Sequence, residues 1–341
     1  MTASISIPPL LSRLACVMNR RKFAALAAGS ALALGGLAAL PAAAQQPVEL
    51  RIGFQKAASV LVLQRAQGTL EKRLAAQNVS VKWVEFPAGP QLLEGLNVGS
   101  IDVGYVGEAP PIFAQAAGAK FVYVGNDPAS PEAEAIVVPK DSAIKSVADL
   151  KGKKIALNKG SNVHYLLVKQ LEKAGLKYSD VNVVFLPPAD ARAAFERGSV
   201  DAWAIWDPFL SAAEKQIGAR ILVDGKGVVN NYLFYLASRS FVEKHPAVVG
   251  TFFQDLQERG RWITANRGEA ARLIAPLQGL DVAIVESSLS RYPLGVVPVS
   301  AAVAAEQQKV ADAFFELKLV PQRVIVAEAL PARPIVVAQT K

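Results

Sequence analysis

GYVGEAPPIF, residues 104–113, starts as the end of a buried strand, breaks at Gly107 and restarts as an apolar run behind Glu108, Ala109, Pro110 and Pro111. Proline has no backbone N–H and holds φ near its helical value, so it suits the first turn of a helix, where the N–H groups lack partners anyway. The stretch therefore reads as a strand-to-helix corner. Such a corner leaves free N–H groups and about half a positive charge pointing away from the helix start, a setting that favours an anion. A corner of this kind also serves simply as a connection.

Outward from the corner, short β-rich runs alternate with amphipathic ones. VELRIGF (48–54), VSVKWVEF (79–86), IDVGYV (101–106) and KFVYVG (120–125) read as strands, with helical patterns at 60–77, 89–98 and 109–117 between them. The pattern then restarts. EAIVVP (134–139), KKIALN (153–158), VNVVFLP (181–187), VDAWAI (200–205) and ARILVDG (219–225) are the next strands, with helices near 162–174 and 189–197. After about residue 240 strand signals stop and helical periodicity dominates, as in HPAVVGTFFQDLQERGRWITAN with Pro246 in the first turn. Alternating strand and helix predicts an α/β protein with largely parallel sheets.

The restart is a repeat. Gly99-Ser100-Ile101-Asp102 matches Gly198-Ser199-Val200-Asp201: each follows a helix, opens a strand, and is followed nine residues after its glycine by an acid before proline, Glu108 and Asp207. Ile52, Gln55 and Lys56 match Ile155, Asn158 and Lys159 at nearly the same offset. Two lobes on one plan follow. Ligands of open α/β sheets bind beyond the carboxyl ends of the strands, where the Gln55, Gly107, Ser161 and Trp206 corners lie. Facing lobes would close a cleft around an anion without a formal positive charge.

The amino-terminal stretch has another character. Arg20-Arg21-Lys22-Phe23, an apolar segment to Leu40, then Pro41-Ala42-Ala43-Ala44 form a basic, an apolar and a small-residue cleavage region, so residues 1–44 read as a signal peptide with Met18 the better start. The paired arginines fit a twin-arginine leader, and the ordinary secretory route also accepts them. Nothing later is apolar enough to span a membrane, and an exported, periplasmic mature chain is expected. The single cysteine, Cys16, falls in the removed part, leaving no disulfide, thiolate nucleophile or cysteine metal ligand.

The leader also holds four of the 37 basic residues and no acid, so the net charge of +8 falls to +4 in the mature chain. The remaining charges are scattered, without arginine-rich runs or aromatic–basic alternation, which argues against nucleic acid. About 300 residues exceed what one core usually organises. There is no H-E-x-x-H, no G-x-S-x-G and no glycine-rich phosphate loop. Binding without chemistry is the expectation, with no cofactor and no metal.

The runs IGFQKAASVLVLQRAQGTLEKRL, WVEFPAGPQLLEGLNVGSIDVGYVGEAPPIFAQAAGA, KSVADLKGKKIALNKGSNVHYLLV, LPPADARAAFERGSVDAWAIWDPF and FYLASRSFVEKHP resemble the aliphatic sulfonate-binding proteins of ABC importers, over about residues 48–320. Taurine-, nitrate- and pyrimidine-precursor-binding proteins share parts of these motifs. The resemblance implies a two-lobed, type II-like periplasmic-binding-protein fold, each lobe a mostly parallel sheet with flanking helices, joined by two hinge crossings. It implies lobe 1 at 46–132 and 236–341 and lobe 2 at 133–235. The implied ligand is an organosulfonate held by a monomer and delivered to an inner-membrane ABC permease; a sensory binding protein without transport keeps the same fold. Ala57-Ala58 stands where relatives often carry Gly-Gly or small polar residues.

Carried over by position, the ligand shell is Gln55, then Gly107, Glu108 and Ala109, then Ser161, Asn162 and His164, then Trp206 and Asp207. A sulfonate offers three acceptor oxygens to backbone N–H groups and to the Ser161 and Asn162 side chains, with Trp206 as a wall for the tail. Glu108 and Asp207 read as helix caps; for Glu108 the alternatives are that it points outward or accepts from a hydroxyl or ammonium on the ligand's far end. His164 reads as a donor to the ligand or as packing beside Tyr165.

Overall fold

A computed structural model describes residues 47–332; the predicted leader, residues 1–44, lies outside them. The chain runs β1 (Val48–Phe54), α1 (Ser59–Gln67), α2 (Thr69–Ala75), β2 (Val79–Glu85), α3 (Gly89–Asn97), β3 (Val103–Gly107), α4 (Ala109–Ala116) and β4 (Phe121–Asp127). It continues through β5 (Glu134–Val138), β6 (Lys154–Leu157), α5 (Asn162–Lys173), β7 (Asn182–Phe185), α6 (Pro188–Glu196), β8 (Ala202–Trp206), α7 (Phe209–Ile217) and β9 (Arg220–Asp224). Then come β10 (Leu233–Ser238), α8 (Arg239–Lys244), α9 (Pro246–Ala265), α10 (Arg267–Gln278), α11 (Val282–Arg291) and α12 (Ala301–Glu316).

Two five-stranded sheets result, ordered β2-β1-β3-β10-β4 and β7-β6-β8-β5-β9. Both are mixed, with four of the five strands in each running in one direction. β1 runs parallel to β2 and β3, and β6 to β7 and β8, but β10 and β5 are antiparallel to both of their neighbours. The reason is topological: β5 and β10 are the strands entered directly after the chain crosses from one sheet to the other, with no helix to reverse it. β10 itself has no counterpart among the sequence-predicted strands. The predicted 60–77 helix is divided at Gly68, whose left-handed φ of 59° ends α1 and starts α2.

Alternation along the strands sorts side chains into three cores. Leu50, Ile52 and Phe54 of β1 and Tyr235 and Ala237 of β10 pack under α1, α9, α10 and α11. Ala135 and Val137 of β5 pack with Trp203, Phe195 and Leu210 beneath α6 and α7. The opposite residues, Phe234 and Leu236 of β10 and Ile136 and Val138 of β5, join one core with α4, α5 and α12 that runs under both sheets.

The sequence repeat is geometric. Gly99 and Gly198 both take left-handed φ (73° and 69°) after a helix. Asp102 N–H then donates to Arg51 O (2.8 Å) while its carboxylate accepts from Arg51 N–H (2.9 Å); Asp201 makes the same pair with Lys154, both at 2.8 Å. In each half an aspartate thus fixes the register of the central parallel strands and sets where their carboxyl ends fall.

The two crossings, 127–134 and 224–233, run side by side. Ser130 N–H donates to Asn230 O (3.0 Å), Ser130 Oγ to Asn231 O (2.9 Å), and Asn231 Nδ2 to Ser130 O (2.8 Å). Asn231 holds φ at 49°, a left-handed conformation that asparagine tolerates better than most residues.

Candidate functional site

The Gln55, Gly107, Ser161 and Trp206 corners open into one cavity of about 470 Å³ of empty space, solvent at its mouth included. Its wall continues through Ala57 and Gly89, through Tyr105, Val106 and Pro110, and through Asn231, Leu233 and Tyr292. None of these residues carries a formal charge.

Four helices start at this wall: α1 behind Ala57, α3 at Gly89, α4 behind Gly107, and α5 at Asn162. None of the four has a side chain of its own turn capping its first N–H groups. The starts of α1, α3 and α5 therefore present donors and the positive end of their dipoles, whereas α4 adds only its dipole, since Pro110 and Pro111 have no N–H and Ala109 N–H is held by Asn162. α3 enters with Pro90, and α4 with Pro110 and Pro111, in their first turns, so two of the four starts are set by proline.

Asn162 reaches furthest across. Its Oδ1 accepts from Ala109 N–H at 3.3 Å, and its Nδ2 donates to Asn231 Oδ1, so one amide joins α5, α4 and the second crossing. The space for it exists because residue 107 is glycine: a Cβ there would lie 1.9 Å from Asn162 Oδ1 and 2.2 Å from its Cγ. Gln55 donates through Nε2 to Tyr105 O (3.0 Å), binding the β1 corner to β3. The Tyr105 ring is fixed by its hydroxyl, which donates to Asp127 Oδ2 (3.0 Å); burial pushes that carboxyl up to about 6.

Of the sequence-predicted shell, Gln55, Gly107, Ser161, Asn162 and Trp206 meet at the cavity, and four residues turn away from it. Glu108 is buried and accepts from Tyr232 N–H at 3.0 Å; it does not cap α4 but ties the β3–α4 corner to the second crossing. Burial pushes its carboxyl up to about 7 despite the backbone donors of Tyr232 and Asn231. Ala109 contributes its N–H, already held by Asn162.

His164 is wholly buried, with Phe113 stacked at a centroid distance of 6.3 Å. Its Nδ1 accepts from Gly160 N–H (3.3 Å) and its Nε2 lies 2.8 Å from the Tyr178 hydroxyl, so both nitrogens are used in the core. Burial lowers its pKa to about 4, which keeps the ring neutral. Asp207 accepts from Ser211 N–H (2.9 Å) and Oγ (2.6 Å) in the first turn of α7, and pairs with Arg291. Ser161 lines the cavity, but its hydroxyl donates to Asn158 O at 2.6 Å, which spends its one proton.

Sequence reasoning did not reach Gly89, Tyr105, Asn231, Leu233 or Tyr292. Gly89-Pro90 carries the same strand–glycine–proline–helix signal as the 107–111 corner. Asn231 and Tyr292 arrive from irregular segments with no periodic signal.

The NMT1-like family matches residues 43–279. The alkanesulfonate-binding protein SsuA from Xanthomonas axonopodis pv. citri, bound to MOPS, is 46% identical, with a TM-score of 0.80, over 84% of this chain and 99% of that one. The periplasmic aliphatic sulphonate binding protein SsuA from Escherichia coli is 47% identical, with a TM-score of 0.76, over 85% and 99%. The taurine-binding periplasmic protein of Escherichia coli (strain K12) is 29% identical over 61% of this chain and 64% of its own length. The chain belongs to the NMT1-like family and groups there with the aliphatic sulfonate-binding proteins.

Proposed function

We propose that this protein captures an organosulfonate monoanion between its two sheets and hands it to an ABC permease of the inner membrane, acting as an exported monomer whose residues 1–44 are a cleaved leader. The observation that carries the reading is the convergence of four helix starts, those of α1, α3 and α5 without a side-chain cap, on a cavity without a charged side chain. Such a site stabilises an anion through backbone donors and dipoles, and suits a sulfonate, which stays ionised at every physiological pH.

Trp206, Tyr105, Tyr292 and Leu233 add an apolar wall that nitrate or sulfate would leave unused, which favours a ligand with a carbon tail. The halves on either side of the crossings act as lobe 1 (46–132 and 236–341) and lobe 2 (133–235), closing on the ligand about the Ser130–Asn231 contacts. Gln55, Gly107, Asn162 and Trp206 are the contacts proposed for head and tail, with Glu108, Ala109, His164 and Asp207 supporting them from behind. The protein binds and releases without chemistry.

A thermal-shift series tests this. A ligand at one hundred times its Kd adds roughly 2.7 kcal/mol to stability. Alkane- and arylsulfonates should raise the melting temperature at micromolar concentration, taurine less, and nitrate and sulfate little. Equal shifts from nitrate, or none from any sulfonate, would overturn the reading.

A further inference from the structure

Beside the cavity lies an ion-pair cluster that neither lines it nor joins the crossings. Arg291 closes α11, whose Val285 and Leu289 belong to the core beneath the first sheet. Its Nη1 donates to Asp207 Oδ2 (3.1 Å) and Ser211 Oγ (3.2 Å), and its Nη2 to Glu214 Oε2 (2.6 Å). These three partners flank Leu210 and Ala213 of α7, which belong to the core beneath the second sheet. One guanidinium therefore connects the two cores.

Each member of the central pair is also the chain neighbour of an aromatic in the cavity wall. Trp206 precedes Asp207 and Tyr292 follows Arg291, and the Tyr292 hydroxyl donates to Asp207 O at 3.2 Å. We infer that Arg291 is a positioning residue for ligand selection: its fork on Asp207 and Glu214, made between the closed halves, sets Trp206 and Tyr292 as one wall against the ligand's tail.

The physical case rests on burial. Asp207 is wholly buried and Arg291 is only 19% exposed at its side chain, so separating them leaves a carboxylate in the interior without its cation. A planar fork that engages two carboxylates and a hydroxyl fixes orientation as well as distance, which a lysine would not. The head group is held elsewhere, by helix starts that Arg291 does not touch. Loss of the fork should therefore weaken grip on the tail far more than on the head.

The inference rests on the sulfonate reading, and its test uses methanesulfonate and octanesulfonate with wild type, Arg291→Met and Glu214→Gln. Arg291→Met should raise Kd for octanesulfonate about tenfold or more and for methanesulfonate less than about threefold. The change should lie in faster dissociation, with association little altered. Glu214→Gln keeps the Arg291–Asp207 contact and should shift the ratio of the two Kd values in the same direction by a smaller factor; it decides the matter if Arg291→Met does not fold. A lowered melting temperature with an unchanged Kd ratio would make Arg291 merely structural and overturn this inference alone. Failure of wild type to bind either sulfonate would overturn the sulfonate reading with it.

Discussion

Replacing Gly107 by alanine should disable the site without unfolding the protein. The added Cβ would fall 1.9, 2.2 and 2.3 Å from the Oδ1, Cγ and Nδ2 atoms of Asn162, and those three atoms are its nearest neighbours. Real Cβ atoms do not approach so closely, so the Asn162 amide must leave its place. It then gives up the Ala109 N–H and the Asn231 amide, two hydrogen bonds of about 1 kcal/mol each. Both join α5 of one half to partners outside it, so the loss appears in closure and hence in affinity. About 2 kcal/mol corresponds to roughly thirtyfold in Kd. Calorimetry with hexanesulfonate should show this loss for Gly107→Ala and a similar one for Asn162→Ala. The double variant should bind no worse than Asn162→Ala alone, because the clash and the hydrogen bonds vanish with the same side chain. Additive losses, or a Gly107→Ala protein of wild-type affinity, would refute this account of the corner.

Other substitutions separate head, tail and support. Ser161→Ala should leave sulfonate affinity within about 0.5 kcal/mol, since its hydroxyl proton is committed to Asn158 O; a loss above about 1.5 kcal/mol in calorimetry would make it a ligand donor. Trp206→Ala should weaken long-tailed sulfonates more than short ones, by roughly 25 cal/mol for each Å² of tail contact removed, measured across a chain-length series. Glu108 has a folded-state pKa of about 7 against an ordinary 4.5, so its carboxyl costs nothing below pH 4.5 and the cost grows as the pH rises to 7. Glu108→Gln should therefore match wild type near pH 4 and become more stable by on the order of 3 kcal/mol by pH 8, read from denaturant midpoints. Its sulfonate affinity should be equal or better.

How far the fold was legible follows from where each signal lies. Period-two runs such as VELRIGF and EAIVV are local and were readable, as was the paired Gly-Ser-x-Asp element, since its glycine turn and strand-register aspartate are both written within four residues. The left-handed break at Gly68 was not, because a glycine inside an amphipathic pattern reads equally as a tolerated helical residue. Strand direction at β5 and β10 depends on which sheet the chain enters next, which no local pattern encodes.

The site divides in the same way. Corners that end a strand and begin a helix were visible, and they hold the cavity. Glu108, His164 and Asp207 stood out as polar residues at those corners, yet their partners, Tyr232 N–H, Tyr178 and Arg291, come from segments 14 to 124 residues away. Polarity at a corner identifies a residue with a task; only the tertiary partner says whether that task faces the ligand.

The most direct measurement is a crystal structure of the protein with hexanesulfonate. Sulfonate oxygens are expected about 2.7–3.2 Å from backbone N–H groups at the starts of α1, α3 and α5, with the alkyl chain against Trp206 and Tyr292 and no lysine or arginine within contact of the head group. A sulfonate paired with a cationic side chain, or seated outside the cavity between the two sheets, would contradict the reading.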